Sequence, residues 1–179
     1  MFRADLSPSE IFEYGSFGGT YWRPIYSNVT KRYYSNVHKL YKSLKNIQDN
    51  VMILPYEKYD ININKYKVKV GTTLEYWELK NWINPLHPYG WIHWYISYYE
   101  GNRCEDDKRQ ISRYNNIGKR FKKRLVNIIL KKYHELVRNN IDNIEILVSL
   151  INDYSISPKI RQTLQHWGQK IALKDFEKL

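Results

Sequence analysis

The segment Pro88–Tyr99, PYGWIHWYISYY, constrains the fold more than any other stretch of the chain. Projected at about 100° per residue, it places Trp91, Trp94, Tyr95 and Tyr98 on one helical face, with Ile92, Ile96 and Tyr99 widening it. His93, Ser97 and Glu100 form the narrow polar strip that remains. A helix this apolar, predicted over 89–100, has to be enclosed by other elements, because its tryptophans and tyrosines carry a large apolar area. Two readings of it stay open. In one, the cluster is core throughout. In the other, one edge is uncovered, and a planar ligand or base stacks there at about 1–3 kcal/mol per base.

Enclosing such a helix takes a chain with enough to bury. At 179 residues and 42% hydrophobic, the chain is about one domain long and can hide roughly 70% of its unfolded surface, which argues against a disordered tail. Ser7, Pro8 and Glu10 spell a helix start with a capping box, and Gly15 a stop. Gly18-Gly19 and Arg23-Pro24 predict a loop carrying Tyr21, Trp22 and Arg23, and residues 33–44 read as a short helix. Alternation through Ile61, Ile63, Tyr66, Val68 and Val70 predicts a strand over 61–70. A short helix follows, capped by Thr72 or Thr73, with Leu74, Trp77 and Leu79 inward. A stiff turn spans Asn84–Pro88. Further helices are predicted near 106–117, 119–139, 141–152 and 158–168, separated by Gly118, Asn139-Asn140 and Ser155–Pro158, with Ser157 as a cap and Gly168 as a terminator. The expected fold is mainly α: a single compact helical domain over 1–179 with at most a small β element in the N-terminal half. Residues 1–88 form its loop-rich half and 89–179 the helical half carrying the aromatic motif.

Charge is the second constraint. Lys and Arg number 29 against 18 Asp and Glu, a net +11. Lysine (19), asparagine (16), isoleucine (20) and tyrosine (17) are residues that AT-rich codons supply, which discounts the lysines. Position is more informative than total. Residues 101–140 hold 12 basic and 4 acidic side chains, against a net +3 in the first hundred residues and zero in the last 39. Arg103, Arg109, Arg113, Arg120, Arg124 and Arg138 put six of the ten arginines there. On the 119–139 helix, Phe121, Leu125, Ile128, Ile129 and Leu136 mark an apolar arc, and Arg120, Lys123, Arg124, Lys131 and Arg138 lie opposite. A solvated face normally mixes charge signs; a face of one sign beside aromatic residues matches a phosphate backbone.

Other chemistry is sparse. There is no glycine-rich phosphate loop, metalloprotease helix or nucleophile elbow. Cys104 is the single cysteine, which excludes a disulfide framework and a multi-cysteine zinc site, and its acidic neighbours oppose a reactive thiolate. No metal site and no cofactor is expected. Asp107 and Gln110 fall on the inward face of the 106–117 helix, so either Asp106 or Asp107 caps that helix or Asp107 and Gln110 point into a polar pocket. No run of about 18 apolar residues is present and the start lacks an apolar signal core, so a membrane span is excluded and an intracellular location is expected.

The block Pro88-Tyr89-Gly90-Trp91-Ile92-His93-Trp94-Tyr95, followed by Tyr98-Tyr99, Gly101, Arg103, Asp106-Asp107, Arg109-Gln110-Ile111 and Arg113, resembles a widespread uncharacterised protein family of eukaryotes and large DNA viruses. The likeness extends to Phe17–Tyr21, Leu74–Trp77 with Trp82-Ile83, and Ser157–Gly168. This chain differs in His93, Asn102 and Tyr114, where glutamine, arginine and tryptophan are usual. With the AT-rich composition, the resemblance makes a large DNA virus a reasonable source. It brings no activity with it, but it shifts weight from the lysines toward a polar-aromatic pocket.

Three expectations follow. The first is a nucleic-acid-binding protein in which Arg103, Arg109, Arg113, Arg120, Lys123, Arg124, Lys131 and Arg138 meet phosphates of DNA or RNA and Trp91, Trp94, Tyr95 or Trp22 offers a stacking edge. The second is an enzyme or pocket protein acting on a nucleotide or modified base, with Asp107 and His166 as candidate catalytic groups and Trp22, Arg23, His93, Gln110, Arg161 and Gln162 beside them. The third is a structural or virion component that docks a protein partner or a second copy.

Overall fold

The structure, a computed structural model, describes residues 2–137 and 143–176. It is mainly α, with one two-stranded antiparallel sheet in the N-terminal half. Helix α1 (Pro8–Glu13) begins as its sequence predicts: the Ser7 hydroxyl accepts from the Glu10 N–H, and the Glu10 carboxylate accepts from the Ser7 N–H. Gly15, at φ 99°, then turns the chain into the loop that carries Tyr21 and Trp22.

The sheet lies elsewhere than the alternation predicts. Strands β1 (Ile25–Ser27) and β2 (Arg32–Tyr34) pair in the register Ile25 with Tyr34, Tyr26 with Tyr33 and Ser27 with Arg32. Residues 61–70 form turns instead of a strand. The Asn64 side chain competes for backbone partners there: its oxygen accepts from the Gly18 N–H and its amide donates to the Val68 carbonyl, and Lys67 sits at φ 55°, so the segment coils around one buried amide. The helix predicted over 33–44 resolves into β2 followed by two single 3₁₀ turns, Val37–Leu40 and Lys42–Leu44, because Asn36 takes the left-handed conformation.

Helix α2 (Leu74–Leu79) is capped by Thr73, and Leu74 is buried, but Leu79 points to solvent. Helix α3 (Trp91–Tyr99) is the aromatic segment, buried at every position except Ser97 and Tyr99. It is the centre of a core that includes Leu6, Ile11, Phe12, Trp22, Leu44 and Met52. Helix α4 (Asp107–Ile117) does not stop at Gly118. It runs through a π turn (Gly118–Lys122) into α5 (Lys123–Leu136). Gly118 is helical, and its lack of a side chain lets the buried Gln169 approach: a Cβ there would lie 2.8 Å from Gln169 Oε1. Helix α5 packs Leu125, Val126, Ile129 and Tyr133 against α6 (Ile144–Asn152) and α7 (Pro158–His166), forming a second core cluster. Pro158 opens α7 as predicted, whereas Ser157, at φ 53°, makes no side-chain cap. The predicted boundaries at Asn139, Asn140 and Ile141 lie outside the described residues. Among the described residues no helix is long and apolar enough to cross a membrane.

The two cores are stitched by polar side chains of α7 and the turn after it. Gln162 accepts from the Tyr66 N–H and donates to the Gly15 carbonyl. Gln165 donates to the Ile11 carbonyl, and Gln169 to the Tyr114 carbonyl. His166 Nε2 accepts from the Phe17 N–H at 3.0 Å.

Candidate functional site: an aromatic cleft beside a basic helix face

Where the loop-rich half meets α2, α3, α4 and α7, the structure leaves a half-open cleft of about 500 Å³. Its walls are rings: Tyr56 and Tyr59 from the loop-rich half, Trp77 and Trp82 from α2 and the turn after it, and Trp91, Phe121 and Trp167 from the helical half. Gly90, at φ 90°, brings the start of α3 to the wall, packed on Ile83 and Trp77. That volume is within the usual range for small-molecule sites.

Among the described residues the charged groups of the cleft are all cations, Arg23, Lys69 and Arg113, and no aspartate or glutamate lines it. Each cation is held by neutral groups. Arg23 donates to the Thr20 carbonyl and lies over the Tyr56 ring. Lys69 sits over the Tyr59 ring at 4.6 Å. Arg113 Nη1 donates to Gln110 Oε1 and to the Trp82 carbonyl, and the guanidinium lies 5.3 Å from the Trp167 ring centroid. Burial, helped by Arg109, pushes the Arg113 pKa down to about 10, so the charge is retained at neutral pH while the fold makes it costly.

The second feature is the outer face of the π turn and α5. Lys119, Arg120, Lys123, Arg124 and Lys131 surround a shallow groove of about 390 Å³ with Asn127 and Ile128 at its base. Among the described residues none of these five cations makes an ion pair; Lys122, on the other side of the π turn, pairs with Asp5 and Asp175. The π turn separates these roles by directing Phe121 into the cleft and Lys119 and Arg120 to the groove. The two surfaces touch, since the Arg120 guanidinium lies 5.2 Å from the Phe121 ring centroid. Arg138, the fifth predicted phosphate contact of this helix, lies outside the described residues.

The other sequence-predicted residues are dispersed. Trp94 is 1% exposed and donates from Nε1 to Asp107 Oδ1 at 2.8 Å. Asp107 also accepts from the Cys104 N–H and thiol, so its carboxylate is consumed in closing the 104–107 turn; burial and that carboxylate raise the Cys104 pKa. The buried acid of α4 is Asp106, which binds Arg109 and Gln110. Burial would raise its pKa, but those bonds outweigh burial and hold it below the ordinary value. Arg103 folds onto the Tyr98 ring and carbonyl. Arg161 is buried, with its guanidinium donating to the Ile151 and Leu150 carbonyls at the end of α6, a favourable place for a cation, and to the Ile156 carbonyl in the turn before α7. Trp22 is core, and its Nε1 and the Nδ1 atoms of His87 and His93 are buried without a hydrogen-bond partner among the described residues.

Of the expected site residues, Trp91, Arg23, Arg113 and His166 meet at the cleft, and Arg120, Lys123, Arg124 and Lys131 at the groove. His166 presents no base there: Phe17 stacks on it, its Nε2 is occupied, and burial lowers its pKa to about 3. Sequence reasoning missed Lys69, Tyr56 and Tyr59 as cleft residues. Tyr56 opens a single 3₁₀ turn and Tyr59 follows it, where no periodicity marks an inward side, and the alternation over 61–70 sets Lys69 opposite Val68 and Val70.

Compared with protein-family models, curated proteins and solved structures, the chain matches none.

Proposed function

We propose that the protein binds nucleic acid through the outer face of the π turn and α5. The observation that carries this reading is the groove of five cations, Lys119, Arg120, Lys123, Arg124 and Lys131, without a carboxylate partner among the described residues. Grouping like charges on one helix face costs self-repulsion, and a phosphate backbone relieves it through counterion release. Spacing supports the same reading: positions 120, 123, 124, 127 and 131 fall on one side of a helix and present a strip along its axis.

The test is the salt dependence of binding, followed by fluorescence anisotropy on labelled single-stranded and duplex oligonucleotides. If all five cations meet phosphates, the log–log slope is about −3.5 for a single strand and about −4.5 for a duplex. Lys123→Glu/Arg124→Glu reverses two exposed charges that support no packing. It should weaken binding by tenfold or more and, because two fewer phosphates are neutralised, flatten the slope by about 1.4 to 1.8. Absence of binding at low salt, or binding indifferent to salt and to this variant, overturns the proposal.

A further inference from the structure

The aromatic cleft is a separate feature with its own chemical logic. A half-buried guanidinium with only neutral partners is unfavourable unless something compensates its charge. Arg113 comes close to that position: its Nη1 bonds only to an amide and a carbonyl, its Nε and Nη2 make no hydrogen bond among the described residues, and the carboxylate that acts on it, Asp106, does so only through space, its oxygens being bonded to Arg109 and Gln110. Half-buried Arg23 and exposed Lys69 add positive charge across the same opening, over tyrosine rings and without a carboxylate partner among the described residues. Between these cations the walls are flat aromatic surfaces. A ligand satisfying both halves of this description has a planar ring to stack and an anionic group to meet the cations.

We infer that the cleft is a binding site for a nucleotide, its base among the rings of Trp77, Trp82 and Trp167 and its phosphate facing Arg113, Arg23 and Lys69. Such a nucleotide has two sources: a free mononucleotide, or an unstacked base of a strand on the basic groove. The second source rests on the nucleic-acid-binding proposal; the first does not. The strand is geometrically compatible because Arg120 and Phe121 link groove and cleft. Each base stacked on an aromatic ring contributes about 1–3 kcal/mol.

The experiment titrates the full chain with AMP, adenosine, inorganic phosphate and a fluorescently labelled dT12 strand. Tryptophan fluorescence and calorimetry report the small molecules, and anisotropy reports the strand. Wild type is compared with Arg113→Gln, with Lys69→Gln and with Lys123→Glu/Arg124→Glu. Lys69 is exposed and makes no hydrogen bond among the described residues, so its variant keeps the test valid should Arg113→Gln fail to fold. For a free nucleotide, AMP quenches tryptophan emission, adenosine and phosphate alone bind at least tenfold more weakly, both cleft variants lose about tenfold, and the groove variant retains AMP binding. For a strand base, AMP is weak or silent, dT12 quenches tryptophan, and both cleft and groove variants lose affinity for it. The inference is overturned if neither AMP nor dT12 quenches tryptophan emission, or if neither cleft variant weakens the binding of whichever does. If dT12 binding is then lost only in the groove variant, the nucleic-acid-binding proposal survives without the cleft; if neither dT12 nor a duplex binds at low salt, both proposals fall.

Discussion

His93 and His166 are imidazoles that the fold keeps neutral. Burial lowers both pKa values to about 3, from an ordinary 6.5, and burial also lowers those of His87 and His38. The unfolded chain binds these protons below about pH 6.5, but the folded chain does not until far lower pH, so unfolding takes up protons as the pH falls. The stability contribution is therefore complete above pH 6.5 and is lost progressively toward pH 3. We expect the Tm to hold between pH 7 and 8 and to fall from pH 6.5 to 5, above the range in which Glu10 and Asp106 contribute. Each histidine adds at most about 1.4 kcal/mol per pH unit. His166→Gln leaves a neutral acceptor for the Phe17 N–H, so its stability profile should be shallower over that window; an unchanged slope would remove His166 from the account. The helical period places Asp107 and Gln110 inward, yet only contact decides their use: Trp94 Nε1 claims Asp107, and Asp106 takes Gln110 and Arg109.

At the scale of elements, local signals served where the answer was local. The Ser7–Glu10 box, the Thr73 cap and the start of α7 at Pro158 each concern groups within one helical turn. Two of the misplaced readings depended on distant partners. Residues 61–70 alternate like a strand but have no partner strand, and Asn64 draws them against Gly18 instead. Gly118 reads as a break, yet a helical glycine costs only about 1 kcal/mol, and here it admits Gln169. Gly15 shows what these close approaches demand. A Cβ at Gly15 would meet the Ile63 carbonyl oxygen at 1.9 Å, with φ at 99°, whereas Gly71, at φ 86°, has nothing within 4 Å. Gly15→Ala should cost more than about 2 kcal/mol in urea denaturation, and Gly71→Ala about 1 kcal/mol of backbone strain alone. Equal losses would show that the contact between α1's end and the 61–70 turns is not tight.

The whole molecule joins two buried clusters, one around α3 and one around α5. Gln162, Gln165, His166 and Gln169 bind backbone groups of other segments across that join, and Leu6 N–H donates to the Gly168 carbonyl at 2.9 Å. Buried amides that lose their partners cost about 1–3 kcal/mol each, so neither cluster should open alone. Calorimetry is expected to give one transition, with calorimetric and van't Hoff enthalpies equal; two resolved transitions would show that the join is weak. Arg161 and Gln162, expected in a pocket, and His166, a candidate catalytic group, prove to have main-chain groups as their hydrogen-bond partners. The mainly α class, the buried aromatic helix and the one-signed face of α5 were legible in the chain alone, because periodicity and charge spacing are properties of a single element. The cleft was not. Its rings and cations come from the loop-rich half, α2, α3, α4, the π turn and the residues beside α7. Their convergence depends on how separate elements pack, and no local pattern encodes that.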